Sequence, residues 1–406
     1  MNLVFKNVVI GEDQKLVNVG IENGYIKKIS SEDILGEKII DGNGCVLIPG
    51  LIESHIHLDK ALIADRKPNK SGTLQEAIEV TANLKPTFTR EDIYERATKA
   101  LKEMLIPNGV TAIRTHAEFD PSQGFTGFDV IMQIKEEFKK YIDIQVVAFP
   151  QEGIFKAPGT MEMMEEALKN GADVVGGIPY NDRDAIEHID YIFELAKKYG
   201  KDIDLHQDFA DNADKISIEY LADKTIKENY EGRVSVGHLT AIAALEEKEL
   251  YPIIEKMAKA QISVMALPAT DLHLGARNDK FNVRRTLTPI RKLRDGGVNM
   301  CIATNNIRNA FTPYGVGDIM QTAMLAIPVA HLGGADDLKT VLPMITTNPA
   351  KALKLKDYGI EEGKKADLVL LETKEYKNAV IDQPTKLYVV KNGNITVENK
   401  KTSIVY

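Results

Sequence analysis

Two histidines separated by one residue, His55-Ile-His57, end an apolar run that begins at Cys45-Val-Leu-Ile. Such a run reads as a β-strand. Alternate side chains of a strand share a face, so the two imidazoles project the same way. Ring nitrogens at that fixed separation make a half-site for Zn²⁺ or Fe²⁺, although two polar residues at a strand end would look the same. The other histidines bear on the choice. Six of the eight, His55, His57, His116, His206, His238 and His273, fall at or just past the ends of apolar strand-like runs, and only His188 and His331 fall in helix-like segments.

Taken together, His55, His57, His206 and His238, with an amide or carboxylate near Thr304-Asn305-Asn306, describe a catalytic metal site with one position left open. A metal so held lowers the pKa of a bound water toward neutrality. His238, outside the ligand set, would orient the resulting hydroxide or accept a proton.

Residues this far apart need a fold that gathers strand ends. Apolar runs at 46–57, 110–116, 142–149, 172–178, 202–206, 233–238, 262–267 and 298–303 alternate with helix-like stretches at 73–84, 90–105, 128–138, 160–170, 185–199, 217–229, 246–259 and 286–293. Eight strand–helix units predict an α/β protein built on a (β/α)₈ TIM barrel, whose chemistry sits at the C-terminal strand ends. Residues 1–45 are short alternating segments with a hairpin signal at Asn23-Gly24, and 356–406 repeat that style with Asn392-Gly393. The two ends are expected to pair into one small β-sandwich, giving domains of 1–49 plus 356–406 and 50–355.

The chain has 406 residues, 44% hydrophobic and 27% charged, with a net charge of −8, which argues against a nucleic-acid or acidic-membrane partner. Two cysteines, Cys45 and Cys301, form no disulfide framework. Neither a signal-peptide core nor an 18-residue apolar span is visible, so a cytoplasmic protein is expected. The expected partners are a small cyclic molecule and, as in many barrels, further copies of the chain.

The chain resembles the amidohydrolase superfamily, specifically its cytosine deaminase-like branch of cytosine, creatinine and N-substituted triazine aminohydrolases. The matching pieces are Pro49-Gly-Leu-Ile-Glu-Ser-His55-Ile-His57-Leu-Asp-Lys60, Arg114-Thr-His116, Gln145-Val-Val-Ala-Phe-Pro-Gln151-Glu-Gly153, Gly237-His238, Pro313-Tyr-Gly315 and Gly363-Lys-Lys-Ala-Asp-Leu-Val. The resemblance implies a metal-dependent aminohydrolase that releases ammonia or an amine from a small cyclic amidine or guanidine. It implies His55, His57 and His206 as ligands of one divalent metal, His238 as the water-orienting group and Gln151 as a substrate contact, with His116, Phe209 and Asn306 beside it.

Two positions depart from the pattern. Asn305 stands where relatives carry a metal-binding aspartate that serves as base, and Phe209 where cytosine-type relatives carry a glutamate. An amide oxygen can ligate a metal but brings no charge and takes no proton at neutral pH. Asn305 therefore enters as a weaker ligand. Another carboxylate, Asp208 first, with Glu118, Glu152 and Asp271 behind it, is expected to carry the proton traffic. Alternatively a basic substrate such as creatinine supplies its own proton acceptor, or the chain is a non-catalytic binding protein. A ring-opening cyclic amidase is a further enzyme reading, although the strand-four place of a metal-bridging lysine holds Gly176-Gly177. Lys60 reads as one half of a surface ion pair, and Met161-Glu-Met163-Met164 as helical core.

Overall fold

The computed structural model describes residues 1–405. Five strands open the chain: β1 (Leu3–Ile10), β2 (Lys15–Glu22), β3 (Tyr25–Ser30), β4 (Lys38–Asp41) and β5 (Val46–Pro49). Eight barrel strands follow: β6 (Leu51–Ile56), β7 (Val110–Glu118), β8 (Asp143–Phe149), β9 (Val174–Gly177), β10 (Asp202–Gln207), β11 (Val234–His238), β12 (Ser263–Ala266) and β13 (Asn299–Ile302). Three more, β14 (Leu368–Leu371), β15 (Lys386–Lys391) and β16 (Asn394–Glu398), end it.

The terminal strands form one sheet in the order β16-β15-β14-β5-β1-β2-β3, with β4 beside β1. Both Asn-Gly turns hold positive φ at the two central residues, 51° and 84° at Asn23-Gly24 and 48° and 75° at Asn392-Gly393. That is the geometry a two-residue hairpin requires. The two chain ends meet where β14 runs antiparallel to β5, and Phe5, Val19, Ile26, Leu47, Leu368 and Val390 pack into their shared core.

The barrel strands are parallel in sequential order, and the helices between them match the apolar periodicity closely. Thr73 and Asp184 cap Leu74–Leu84 and Ala185–Tyr199, and Gly200, at φ 65°, ends the latter. The ring closes at its mouth through the Ile56–Asn305 bridge. Lower down, Arg114 is fully buried and fills the interior, bonded to Asp204 at 2.7 Å, Ser235 at 3.1 Å and the Ala352 carbonyl at 3.1 Å.

Three expectations are corrected. The run 45–57 is two strands: β5 joins the terminal sheet and β6 the barrel. The hinge is Gly50, where a Cβ would lie 2.1 Å from Thr111 Oγ1. The stretch 286–293 is helical only over Ile290–Asp295, because a residue preceding a proline is pushed out of the helical region and Thr288 precedes Pro289. Met161 is exposed, and of its cluster only Met164 is fully buried. No helix among the described residues is long and apolar enough to cross a membrane.

Candidate metal centre and active site

β6 delivers His55 and His57 at its C-terminal end, and β10 delivers His206 from across the barrel. The Nε2 atoms of His55 and His206 stand 3.3 Å apart, and those of His57 and His206 3.1 Å. Two nitrogens bound at 2.0–2.1 Å to one tetrahedral ion are separated by about 3.4 Å, so this spacing is close to one edge of such a shell. All three rings are buried. That burial, together with the neighbouring imidazoles and, for His55 and His57, Lys60, holds their pKa values well below 6.5. The rings are therefore neutral at physiological pH, with lone pairs free for a metal. Asn305 lies 2% exposed with an Oδ1 that has no hydrogen-bond partner, the state expected of a ligand atom. The donor set fits a divalent ion with three imidazoles and one neutral amide.

Two backbone features hold this arrangement. Gly237 leaves room for a ligand ring: a Cβ there would sit 2.5 Å from His55 Cε1. His238, Leu239 and Asn305 take left-handed φ values of 69°, 59° and 65°. For residues bearing a Cβ this costs about 1–3 kcal/mol each and survives only where the surroundings fix it. The fixing bonds are Leu239 N–H to the Gln207 carbonyl at 2.8 Å, Thr288 Oγ1 to the His238 carbonyl, and Asn305 N–H to the His55 carbonyl at 3.0 Å.

His238 Nδ1 donates to Asp271 Oδ1 at 2.7 Å, leaving Nε2 for the cavity. Burial pushes the Asp271 carboxyl above its ordinary value, against the pull of His238. Phe209 stacks on the His238 ring at 4.2 Å between centroids and 11° between planes. Leu74, Phe209 and Phe311 supply the apolar walls of a narrow cavity, and His238, Gln151, Asn305 and Asn306 its polar ones.

Four carboxylates were candidates for the proton traffic, and Asp271 alone among them touches a cluster histidine at hydrogen-bond distance. Asp208, placed first in the sequence reading, is turned away. Its φ of 43° aims the carboxylate at the N–H groups of Ser217 and Ile218, 3.0 and 2.9 Å away, at the head of the next helix. Glu118 lies between two lysines, with Lys60 Nζ in contact and Lys85 Nζ at 2.7 Å. Burial would raise its pKa, but the lysines outweigh burial and hold it down at about 2. Glu152 is bonded to the same Lys85 at 2.9 Å.

His116 is also displaced from its expected place. It lies beneath the ligands, fully buried, with Nε2 3.3 Å from Asp204 Oδ1, and does not line the cavity. His273 sits in a short helix, Pro268–Leu274, bonded to Arg277 outside the cluster. Gln151, Phe209 and Asn306 line the cavity as expected.

Lys60 was misread. It is 3% exposed, lines the cavity, and donates to Gln151 Oε1 at 3.2 Å. Its place three residues beyond the His-x-His, where the chain leaves a barrel strand for the mouth, was the available signal. Tyr180 was missed entirely. It follows β9 in a turn held by His188, which accepts from Ile178 N–H at 3.0 Å and donates to Asp182 at 2.8 Å.

The amidohydrolase family profile matches residues 38–397. The chain is 32% identical to N-isopropylammelide isopropyl amidohydrolase of Pseudomonas sp. (strain ADP), over 98% of both chains. Its fold superposes on 5-methylcytosine deaminase from Klebsiella pneumoniae liganded with phosphonocytosine with a TM-score of 0.95, at 31% identity, covering 99% of this chain and 100% of that one. N-isopropylammelide isopropylaminohydrolase from Burkholderia multivorans gives a TM-score of 0.86 at 27% identity, covering 98% and 99%.

Proposed function

This chain belongs to the amidohydrolase family and is a hydrolase of carbon–nitrogen bonds; from that premise we propose that it removes an exocyclic amino or alkylamino group from a small six-membered nitrogen heterocycle, using one Zn²⁺ or Fe²⁺ ion. The observation that carries the reading is the place of His206 Nε2, 3.3 Å from His55 Nε2 and 3.1 Å from His57 Nε2. An ion held by these nitrogens and Asn305 Oδ1 would supply hydroxide at neutral pH.

The chain's own groups do the rest. His238 Nε2 takes one proton from the attacking water and returns it to the leaving nitrogen, the water's second proton ending on the adjacent ring nitrogen as the carbonyl forms, while Asp271 fixes the His238 ring and tautomer. This is the part the expected strand-eight aspartate would have played. Gln151 and Asn306 hold the ring's polar edge. Leu74, Phe209 and Phe311 close on its faces and keep bulk water from the reacting carbon.

The test is amine release by metal-loaded protein from cytosine, isoguanine, creatinine and N-alkyl ammelides, with the ring followed separately by its ultraviolet absorbance. The expected result is ammonia or alkylamine from an amino-oxo pyrimidine or triazine, with the ring intact. Ring opening without amine would replace this reading by the cyclic-amidase one. Stoichiometric metal with no turnover across the panel would replace it by a binding protein.

A further inference from the structure

We infer that the substrate is bound as an anion, because the cavity offers its ring edge N–H donors and no carboxylate. The inference deepens the functional reading and rests on it for the class of ring.

The donors follow from fixed amide orientations. A lysine can only donate, so Lys60 Nζ at 3.2 Å requires the oxygen of Gln151 to face it, which leaves the Gln151 NH₂ for the ligand. Asn309 Oδ1 accepts from Phe311 N–H and Thr312 N–H at 2.9 and 3.1 Å. Its NH₂ must therefore face Asn306 Oδ1, 2.7 Å away, and the Asn306 NH₂ is left for the ligand in turn. Lys60 donates to Glu118 and Gln151, and its ammonium also lies 4.5 Å over the Phe311 ring.

The charges agree with the donors. Among the described residues that line the cavity, Lys60 is the one with a permanent charge, and none is an aspartate or glutamate. The nearby carboxylates are committed elsewhere: Glu118 to Lys60 and Lys85, Glu152 and Asp120 to Lys85, Asp271 to His238, and Asp208 to a helix head. Three neutral imidazoles and the neutral Asn305 amide bring a divalent ion no negative charge, and a bound hydroxide would offset only one of its two charges. A ligand bearing negative charge supplies the compensation that the side chains do not.

The test is equilibrium binding at pH 7, by calorimetry, of barbituric acid, an anion at that pH, and of uracil, a neutral ring of the same outline. Metal-free protein, Zn²⁺-loaded protein and Asn305→Asp are compared, with thermal melting to confirm that the variant is folded. Barbiturate is expected to bind the loaded protein at least tenfold tighter than uracil, and Asn305→Asp to reduce that ratio by tenfold or more. By reciprocity, barbiturate but not uracil should slow the loss of Zn²⁺ on dialysis of the parent protein. Equal binding of the two rings, or a ratio untouched by Asn305→Asp, would overturn the inference. Neither readout uses turnover. A barbiturate preference without amine release from any substrate would sink the functional reading alone, and amine release with no preference would sink this inference alone.

Discussion

The backbone N–H of Asn305 donates to the His55 carbonyl, and the N–H of His57 to the Asn305 carbonyl, each at 3.0 Å. The strand that carries His55 and His57 and the loop that carries the departing amide are thus one hydrogen-bonded seam, where the barrel closes. Ligand spacing and barrel closure are therefore coupled.

Glu53 tests that coupling. It is fully buried beneath the seam and accepts from Thr304 N–H at 3.1 Å, Thr304 Oγ1 at 2.7 Å and His55 N–H at 3.3 Å. Glu53→Ala strands these donors, with an expected loss of about 3–5 kcal/mol in urea unfolding and reduced metal occupancy. Stability within about 1 kcal/mol of the parent would show that the seam does not depend on it.

Asp271→Asn exchanges an acceptor for a group that can present either a donor or an acceptor to His238 Nδ1. Metal content is expected to stay at parent level while kcat falls by about 10²-fold or more and KM moves little. A parent-like kcat would remove His238 and Asp271 from the proton path.

Tyr180 brings a hydroxyl to the cavity wall for which no protein hydrogen bond is seen, and burial, with the charges of Asp271 and Asp208, keeps it protonated. Tyr180→Phe should leave stability within about 0.5 kcal/mol of the parent and raise KM by roughly three- to tenfold, the worth of one neutral hydrogen bond. An unchanged KM would place the hydroxyl outside the substrate's reach.

Glu118 carries a pH dependence. Its folded pKa, about 2, lies below the ordinary 4.5, so the stability it contributes is present above pH 4.5 and lost as pH falls toward 2. Glu118→Gln leaves Lys60 and Lys85 without the carboxylate between them and should cost about 3–5 kcal/mol at pH 7. The difference from the parent should narrow steadily in urea melts taken from pH 4.5 downward. A gap that stays constant would mean that Glu118 is not ionised in the folded protein.

Much of this site was legible in the sequence, because strand ends are marked by local pattern and histidines at those ends must converge in a barrel. His55, His57, His206 and His238 were found that way. What sequence could not supply was direction. Asp208 sits two residues past His206, yet a left-handed backbone turn sends its carboxylate to a helix head. Lys60 looked like a surface charge because its partners, Glu118 and Gln151, are 58 and 91 residues away. The break at Gly50 was hidden for a similar reason, since only Thr111 from the neighbouring strand forbids a side chain there. Long-range steric and hydrogen-bond constraints of this kind leave no periodic trace.

The most direct test of the central claim is X-ray absorption at the metal edge on purified protein, paired with metal analysis of His55→Ala, His57→Ala and His206→Ala. One ion per chain with three imidazole nitrogens at 2.0–2.1 Å, and loss of that ion from each variant, is the predicted result. An ion with fewer than three imidazoles, or one that survives the loss of His206, would contradict it.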